Sequence, residues 1–263
     1  MTGTLPALFL SHGAPSLVLE DCPARDFLAG LGQALPRPEA IIAMSAHYET
    51  DHPAISTAPH PDTIHDFRGF PDALHAMQYP APGAPEIAHA ARQLLDAAGY
   101  VTRIDPERGL DHGIWAPLAL VYPRADIPVV PLSIQPQKGP DHHAAIGRAL
   151  SPLRDAGILL IGSGSITHNL SRFFGGEYRL DSPAEPFARE FADWIAGRIE
   201  AGDTDALLSG PGSWPAGREN HPTDDHILPL YFALGAGGTP LRGQRLHRST
   251  NYGVLAMDAF AFG

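Results

Sequence analysis

Leu5–Leu10 (LPALFL) runs directly into Ser11-His12-Gly13-Ala14-Pro15, and this junction decides how the chain is read. A short, mostly apolar run without strict alternation describes a strand covered on both faces, as at the centre of a parallel sheet. The turn that follows presents a histidine at the strand's carboxyl end. The arrangement recurs. Ala40–Ser45 leads through Ala46 to His47, and Ile158–Ile161 leads through Gly162-Ser163-Gly164-Ser165 to Thr167-His168-Asn169. Pro128–Ile134 is a fourth apolar run of the same kind. Ligands of open α/β sheets collect just beyond the carboxyl ends of the strands, so His12, His47 and His168 are expected in one crevice. A lone loop histidine usually bonds to nearby backbone; three at corresponding strand ends favour a shared site.

Helical patterns lie between the strands. Pro85–Ala98 puts Ile87, Ala91, Leu94, Leu95 and Ala98 on one face, with Gly99 as a stop. Asp141–Ala156 repeats the pattern with Ile146, Leu150 and Leu153. Ser182, Pro183 and Glu185 read as a capping box opening a helix whose stripe is Phe187, Phe191, Trp194, Ile195 and Ile199. Alternating strands and helices predict an α/β sandwich, with a mostly parallel or mixed central sheet covered by helices. No repeat or linker divides residues 1–263, so one catalytic domain is expected. The Pro-, Gly- and His-rich stretches His47–Gly83 and Gly202–Asp224 are long for connectors, and long loops in compact domains are often functional.

Composition narrows the classes. The 263 residues are 44% hydrophobic and 18% charged, enough apolar material for a buried core. A formal charge of -11, spread along the chain, repels nucleic acid and anionic membranes, so neither is an expected partner. Met1–Pro6 lack the charged and apolar regions of a signal peptide, and no apolar run is long enough to span a bilayer, giving a cytoplasmic expectation. Cys22 is the single cysteine, which excludes an internal disulfide and a cysteine-based zinc site. Histidine, the commonest metal ligand, occurs 14 times.

Two further histidines stand in marked contexts. His112 lies in Asp111-His112-Gly113-Ile114-Trp115, and His226 closes His221-Pro222-Thr223-Asp224-Asp225-His226, just before the apolar helix Ile227–Leu234. A helix cap with solvated flanks also explains the second motif. His221 and His226 are five residues apart and diverge on a helix, so at most one points into the site. His52, His60, His75, His89, His142, His143 and His247 are assigned to the surface. His65 and Asp66 either border the pocket mouth or stabilise a loop. Tyr79 and the prolines after it shape a turn. Gly162–Ser165 lacks the lysine of a phosphate loop.

Taken in order, several motifs resemble the class III extradiol ring-cleaving dioxygenases, in particular the 4,5-DOPA dioxygenase branch related to the catalytic subunit of protocatechuate 4,5-dioxygenase. They are Ser11-His12-Gly13, Ser45-Ala46-His47, Thr63-Ile64-His65-Asp66-Phe67, Tyr79-Pro80-Ala81-Pro82-Gly83, Asp111-His112-Gly113-Ile114-Trp115, Ser163-Gly164 with Thr167-His168-Asn169-Leu170, and Pro222-Thr223 with His226-Ile227-Leu228-Pro229-Leu230. Each is weak alone, but the ordered set covers most of the chain.

The resemblance implies that His12 and His47 bind the metal, with His226 as third ligand. It implies that His168 is the acid–base catalyst and that His112 lines the substrate pocket and assists catalysis. It also implies ferrous iron in the active enzyme, with zinc able to occupy the site in purified protein. The partners would be a catechol, such as 3,4-dihydroxyphenylalanine, and O2. Three histidines depart from the common two-histidine, one-carboxylate iron site, and Asp224 or Asp225 stays open as the third ligand. A zinc hydrolase is the alternative enzyme class, and a non-catalytic metal-binding protein on the same scaffold the alternative outside catalysis. Substrate substituents and homo-oligomerisation are left open by the residues.

Overall fold

In a computed structural model, which describes residues 4–263, the chain is an α/β sandwich built on a mixed eight-stranded sheet. In chain order the strands are β1 Ala7–Ser11, β2 Ala40–Glu49, β3 Ala54–Ser56, β4 Arg103–Asp105, β5 Val129–Ile134, β6 Ile158–Gly164, β7 Gly243–His247, β8 Thr250–Asn251, β9 Leu255–Ala256 and β10 Ala259–Phe262. The sheet order is β4-β3-β5-β2-β6-β1-β10-β7, with β8 and β9 forming a separate two-stranded ladder. The four apolar runs read from the sequence are its centre. β5, β2, β6 and β1 lie side by side and parallel, and nearly every residue in them is buried. The edges depart from this: β10 and β7 add antiparallel strands beyond β1, and β3 meets β5 antiparallel.

The helices are α1 Pro23–Ala34, α2 Asp72–His75, α3 Pro85–Ala97, α4 His112–Val121, α5 Gly139–Leu150, α6 Leu170–Gly175, α7 Pro186–Ala201, α8 Thr204–Leu208, α9 Gly217–Asn220 and α10 Leu228–Ala236. Alternate strand residues face opposite layers. Phe9, Ile42, Met44, Val130 and Leu132 pack beneath α3, α5, α7 and α10, whereas Leu8, Leu10, Ile41, Ala43 and Val129 pack beneath α1 and α4. Among the described residues, no helix is long and apolar enough to cross a membrane.

Three local expectations are corrected. The helix expected to open at Ser182 begins at Pro186, with Glu185 extended before it. Pro186 disfavours helical backbone at the residue preceding it, and the Ser182 hydroxyl instead accepts the Arg179 amide at 2.8 Å. The single helix expected over Asp141–Ala156 is α5 followed by a 3-10 turn, Ser151–Ala156. Pro152 has no amide for the ladder, and the Ser151 hydroxyl donates to the Arg148 carbonyl at 2.9 Å. His143 is buried, not on the surface; it lies on the inner face of α5 and accepts the Gln135 amide at 3.1 Å. His142 and His247 are half-buried, while His52, His60, His75 and His89 are exposed as expected.

α10 crosses the end of β6 closely. A Cβ added at Gly162 would lie 2.0 Å from the Pro229 carbonyl oxygen, and one at Gly164 would lie 2.2 Å from that of His226. Gly162 and Gly164, read from the sequence only as a stretch lacking the lysine of a phosphate loop, therefore let the helix, and the histidine before it, reach the sheet's rim.

Candidate metal centre and active site

Each site histidine is delivered by a different element. His12 directly follows β1, and its amide donates to the Gly164 carbonyl at 3.0 Å, fastening that turn to β6. His47 lies in the last part of β2, where the register with β5 shifts between Ser45 and Glu49. His226 stands two residues ahead of α10, with its carbonyl accepting the Ser165 amide at 2.8 Å. His168 follows β6, its amide bonded to the Asn220 carbonyl at 2.9 Å, and His112 opens α4.

The side chains converge. The Nε2 atoms of His12 and His47 are 3.2 Å apart, and His12, His47 and His226 each offer a ligand atom within 4.8 Å of the others. Two imidazole nitrogens about 2.1 Å from one ion, at angles between tetrahedral and octahedral, stand about 3.0–3.4 Å apart. The His12–His47 spacing meets that test, so this donor set fits a metal ion. The remaining ring nitrogens are engaged: His12 Nδ1 with Ser163 Oγ at 3.0 Å, His47 Nδ1 with Asp66 Oδ2 at 3.6 Å, and His226 Nδ1 with Asp225. Partners of this kind fix ring orientation and tautomer, leaving Nε2 to bind a metal.

Of the residues left open for the third position, Asp224 is ion-paired with Arg218 and Asp225 faces His226. Two other groups have ligand spacing, His47–Asp66–His112 and His168–Asp225–His226. The described residues thus offer three overlapping places for an ion.

Electrostatics favour neutral imidazoles here. Burial, followed by the nearby His47 and His226, pushes His12 well below its ordinary range. Burial, then His112 and His226, does the same to His47. His168 is lowered to about 3 by burial and by His226, on whose ring it stacks with centroids 3.4 Å apart and planes 8° from parallel. Neutral imidazole is the form that binds metal or accepts a proton.

Asp66 is a residue that the sequence reading left between the pocket mouth and a loop-stabilising hydrogen bond. Its Oδ1 accepts both the amide (3.1 Å) and the Nδ1–H (2.8 Å) of His112, while Oδ2 faces His47. Burial would raise this carboxyl, yet the His112 hydrogen bond and the charges of His112 and His47 hold it at about 2. Ser163 and Asp225 were also missed as partners of His12 and His226. Beneath them the fully buried Asp111 accepts from Ser45 Oγ at 2.6 Å and pairs with Arg108, which also donates to the His47 carbonyl at 3.2 Å. The remaining expectations divide simply. His65 bonds to the Met77 carbonyl, stabilising a loop, and Tyr79 is a buried residue whose hydroxyl donates to the Tyr122 carbonyl. His221 is buried against the Ile166 carbonyl and belongs to none of the ligand groups.

His47, His112, His168 and His226 open onto a cavity of about 180 Å³, otherwise walled by apolar residues such as Phe67, Phe70, Phe173 and Leu255. An apolar cavity of about 150 Å³ takes up one benzene ring, so this one is sized for a single aromatic ring. A ring-sized apolar cavity beside a histidine cluster with metal-ligand spacing, at the carboxyl rim of the parallel strands, fits a metal-dependent enzyme acting on a small aromatic molecule.

Comparison with known proteins gives the class. Residues 6–260 match the family model for the catalytic LigB subunit of aromatic ring-opening dioxygenase. The chain is 38% identical to the 4,5-DOPA dioxygenase extradiol of Beta vulgaris, covering 97% of this chain and 95% of that one. It is 41% identical to the Escherichia coli (strain K12) protein of the same name, covering 88% and 85%. A crystal structure of an uncharacterized Escherichia coli K12 protein superposes with a TM-score of 0.80 at 33% identity, covering 98% of this chain and all of that one. The chain belongs to the LigB family, as a class III extradiol ring-cleaving dioxygenase of the 4,5-DOPA dioxygenase branch. The family and the histidine–aspartate groups together fit a metal cofactor and a small aromatic substrate.

Proposed function

We propose that the chain opens catechol-type rings beside the diol with O2, using Fe(II) held by His12, His47 and His226; 3,4-dihydroxyphenylalanine, carried in the relatives' names, is one such catechol. The observation that carries this reading is the 3.2 Å approach of two Nε2 atoms beside His226, with the Nδ1 atoms of His12 and His226 hydrogen-bonded and that of His47 facing Asp66 Oδ2 at 3.6 Å. When bound, ferrous iron supplies a Lewis acid for the diol and an electron path between the electron-rich ring and dioxygen. Three imidazoles would hold such an ion and leave room beside it for substrate.

The chain's own residues then divide the work. His168, neutral in its buried setting, accepts a proton from a catechol hydroxyl and returns one as the ring opens. An anionic catecholate beside it raises its pKa towards the range in which an acid–base catalyst is effective. His112 has Nδ1 committed to Asp66, so Nε2 is the atom left to hydrogen-bond a substrate oxygen. Phe67 and Phe70 exclude water from the ring's apolar edge.

The test is anaerobic loading with Fe(II), followed by air and a panel of catechols. A yellow semialdehyde should form only when iron, oxygen and a vicinal diol are all present. Turnover under argon with zinc would replace this reading with a hydrolase.

A further inference from the structure

Four large hydrophobic side chains stand exposed among the described residues, and two of them, Leu170 (50%) and Phe174 (76%), sit on one short helix, α6. Both line the cavity of the candidate active site. No residue of α6 is buried; Phe173 packs partly against the core, while Leu170 and Phe174 are left exposed at the mouth of that cavity.

Two aromatic pairs from distant segments meet there: Phe67 with Phe70, ring centroids 5.4 Å apart, and Phe173 with Phe174, 5.0 Å apart. No lysine or arginine lines the cavity. Of the cations adjacent in sequence to lining residues, Arg172 is ion-paired with Glu219, and Arg68 is exposed and does not line it. The nearest carboxylates, Asp66 and Asp225, are anionic and turned to histidines. The chain as a whole carries -11.

A cavity sized for one ring leaves a ring substituent projecting into this mouth. A carboxylate there would find no cation, whereas an alkyl or aryl group would be partly covered by Phe173, Phe174 and Leu170. We infer that the mouth formed by Leu170, Phe173 and Phe174 selects catechols bearing an uncharged, apolar 4-substituent over those bearing a carboxylate, including 3,4-dihydroxyphenylalanine. The inference rests on the catechol reading above and narrows its substrate class.

Binding to the zinc-loaded protein tests it without turnover. Isothermal titration with catechol, 4-butylcatechol, 3-(3,4-dihydroxyphenyl)propanoate and 3,4-dihydroxyphenylalanine should rank 4-butylcatechol tightest, by about 16-fold over catechol, since each buried methylene contributes about fourfold and about two of the four carbons would be covered. The two carboxylates should bind no tighter than catechol. Phe174→Arg, at an exposed position, should weaken 4-butylcatechol and tighten the propanoate severalfold, and Arg68→Ala should change neither. Carboxylates binding as tightly as 4-butylcatechol, or losing their affinity in Arg68→Ala, would overturn the inference while sparing the catechol reading. Failure of every diol to bind would overturn both.

Discussion

Replacing Asp66 with Asn removes one charge and keeps the shape of a side chain that touches two site histidines. Asp66 accepts twice from His112 and lies 3.6 Å from His47 Nδ1. Its carboxyl is held at about 2 against the ordinary 3.8, a difference of at most about 2.4 kcal/mol favouring the ionised folded form. The side chain is 22% exposed, so solvent screening trims that figure only modestly. Because the folded pKa is depressed, this stability is present above pH 3.8 and lost as pH falls towards 2. Denaturant titration of the metal-free protein should find Asp66→Asn less stable by about 1–2 kcal/mol at pH 6, with the gap closing between pH 4 and 2. Metal affinity, measured against a chromophoric chelator at neutral pH, should fall about 10–100-fold, as when other partners of ligating histidines are removed. A gap that does not vary with pH, or an unchanged metal affinity, would refute the assignment of Asp66 as the group that orients His47 and His112.

Three further outcomes are expected. His168→Ala should keep its metal by elemental analysis yet lose about 10²–10⁴-fold in kcat; loss of metal would make His168 a ligand. Gly162→Ala should lower stability by more than about 2 kcal/mol in thermal melts, because the added Cβ has only 2.0 Å to the Pro229 carbonyl. His143, buried and lowered to about 4, should show an NMR titration well under its ordinary value of 6.5. Its burial removes stability as pH falls from 6.5 towards 4, because the unfolded chain takes up the proton first.

The central sheet and the meeting of His12, His47 and His168 were legible because buried parallel strands write themselves as unbroken apolar runs. β3, β4, β7 and β10 were not. They are three to five residues long, and their pairings at the edges, antiparallel except for β3 with β4, carry no comparable local pattern. His226 came from the resemblance, since a histidine ahead of α10 is also explained by an ordinary helix start. What brings it to β6 is the absence of side chains at Gly162 and Gly164, a contact between residues more than 60 positions apart. Asp66, Ser163 and Asp225 escaped for a related reason: a carboxylate or hydroxyl becomes a histidine's partner only through the folded loop that carries it. His143 was misread because a polar residue on a helix's inner face looks like surface until its hydrogen bonds to Gln135 and Gly139 are seen.

Which of three overlapping groups takes the ion decides how the histidines divide their roles, and anomalous diffraction from zinc-loaded crystals reads that directly. One peak is expected about 2.1 Å from an Nε2 atom of each of His12, His47 and His226, with His168 and His112 unligated. A peak on His168 and Asp225, or on Asp66 and His112, would contradict it.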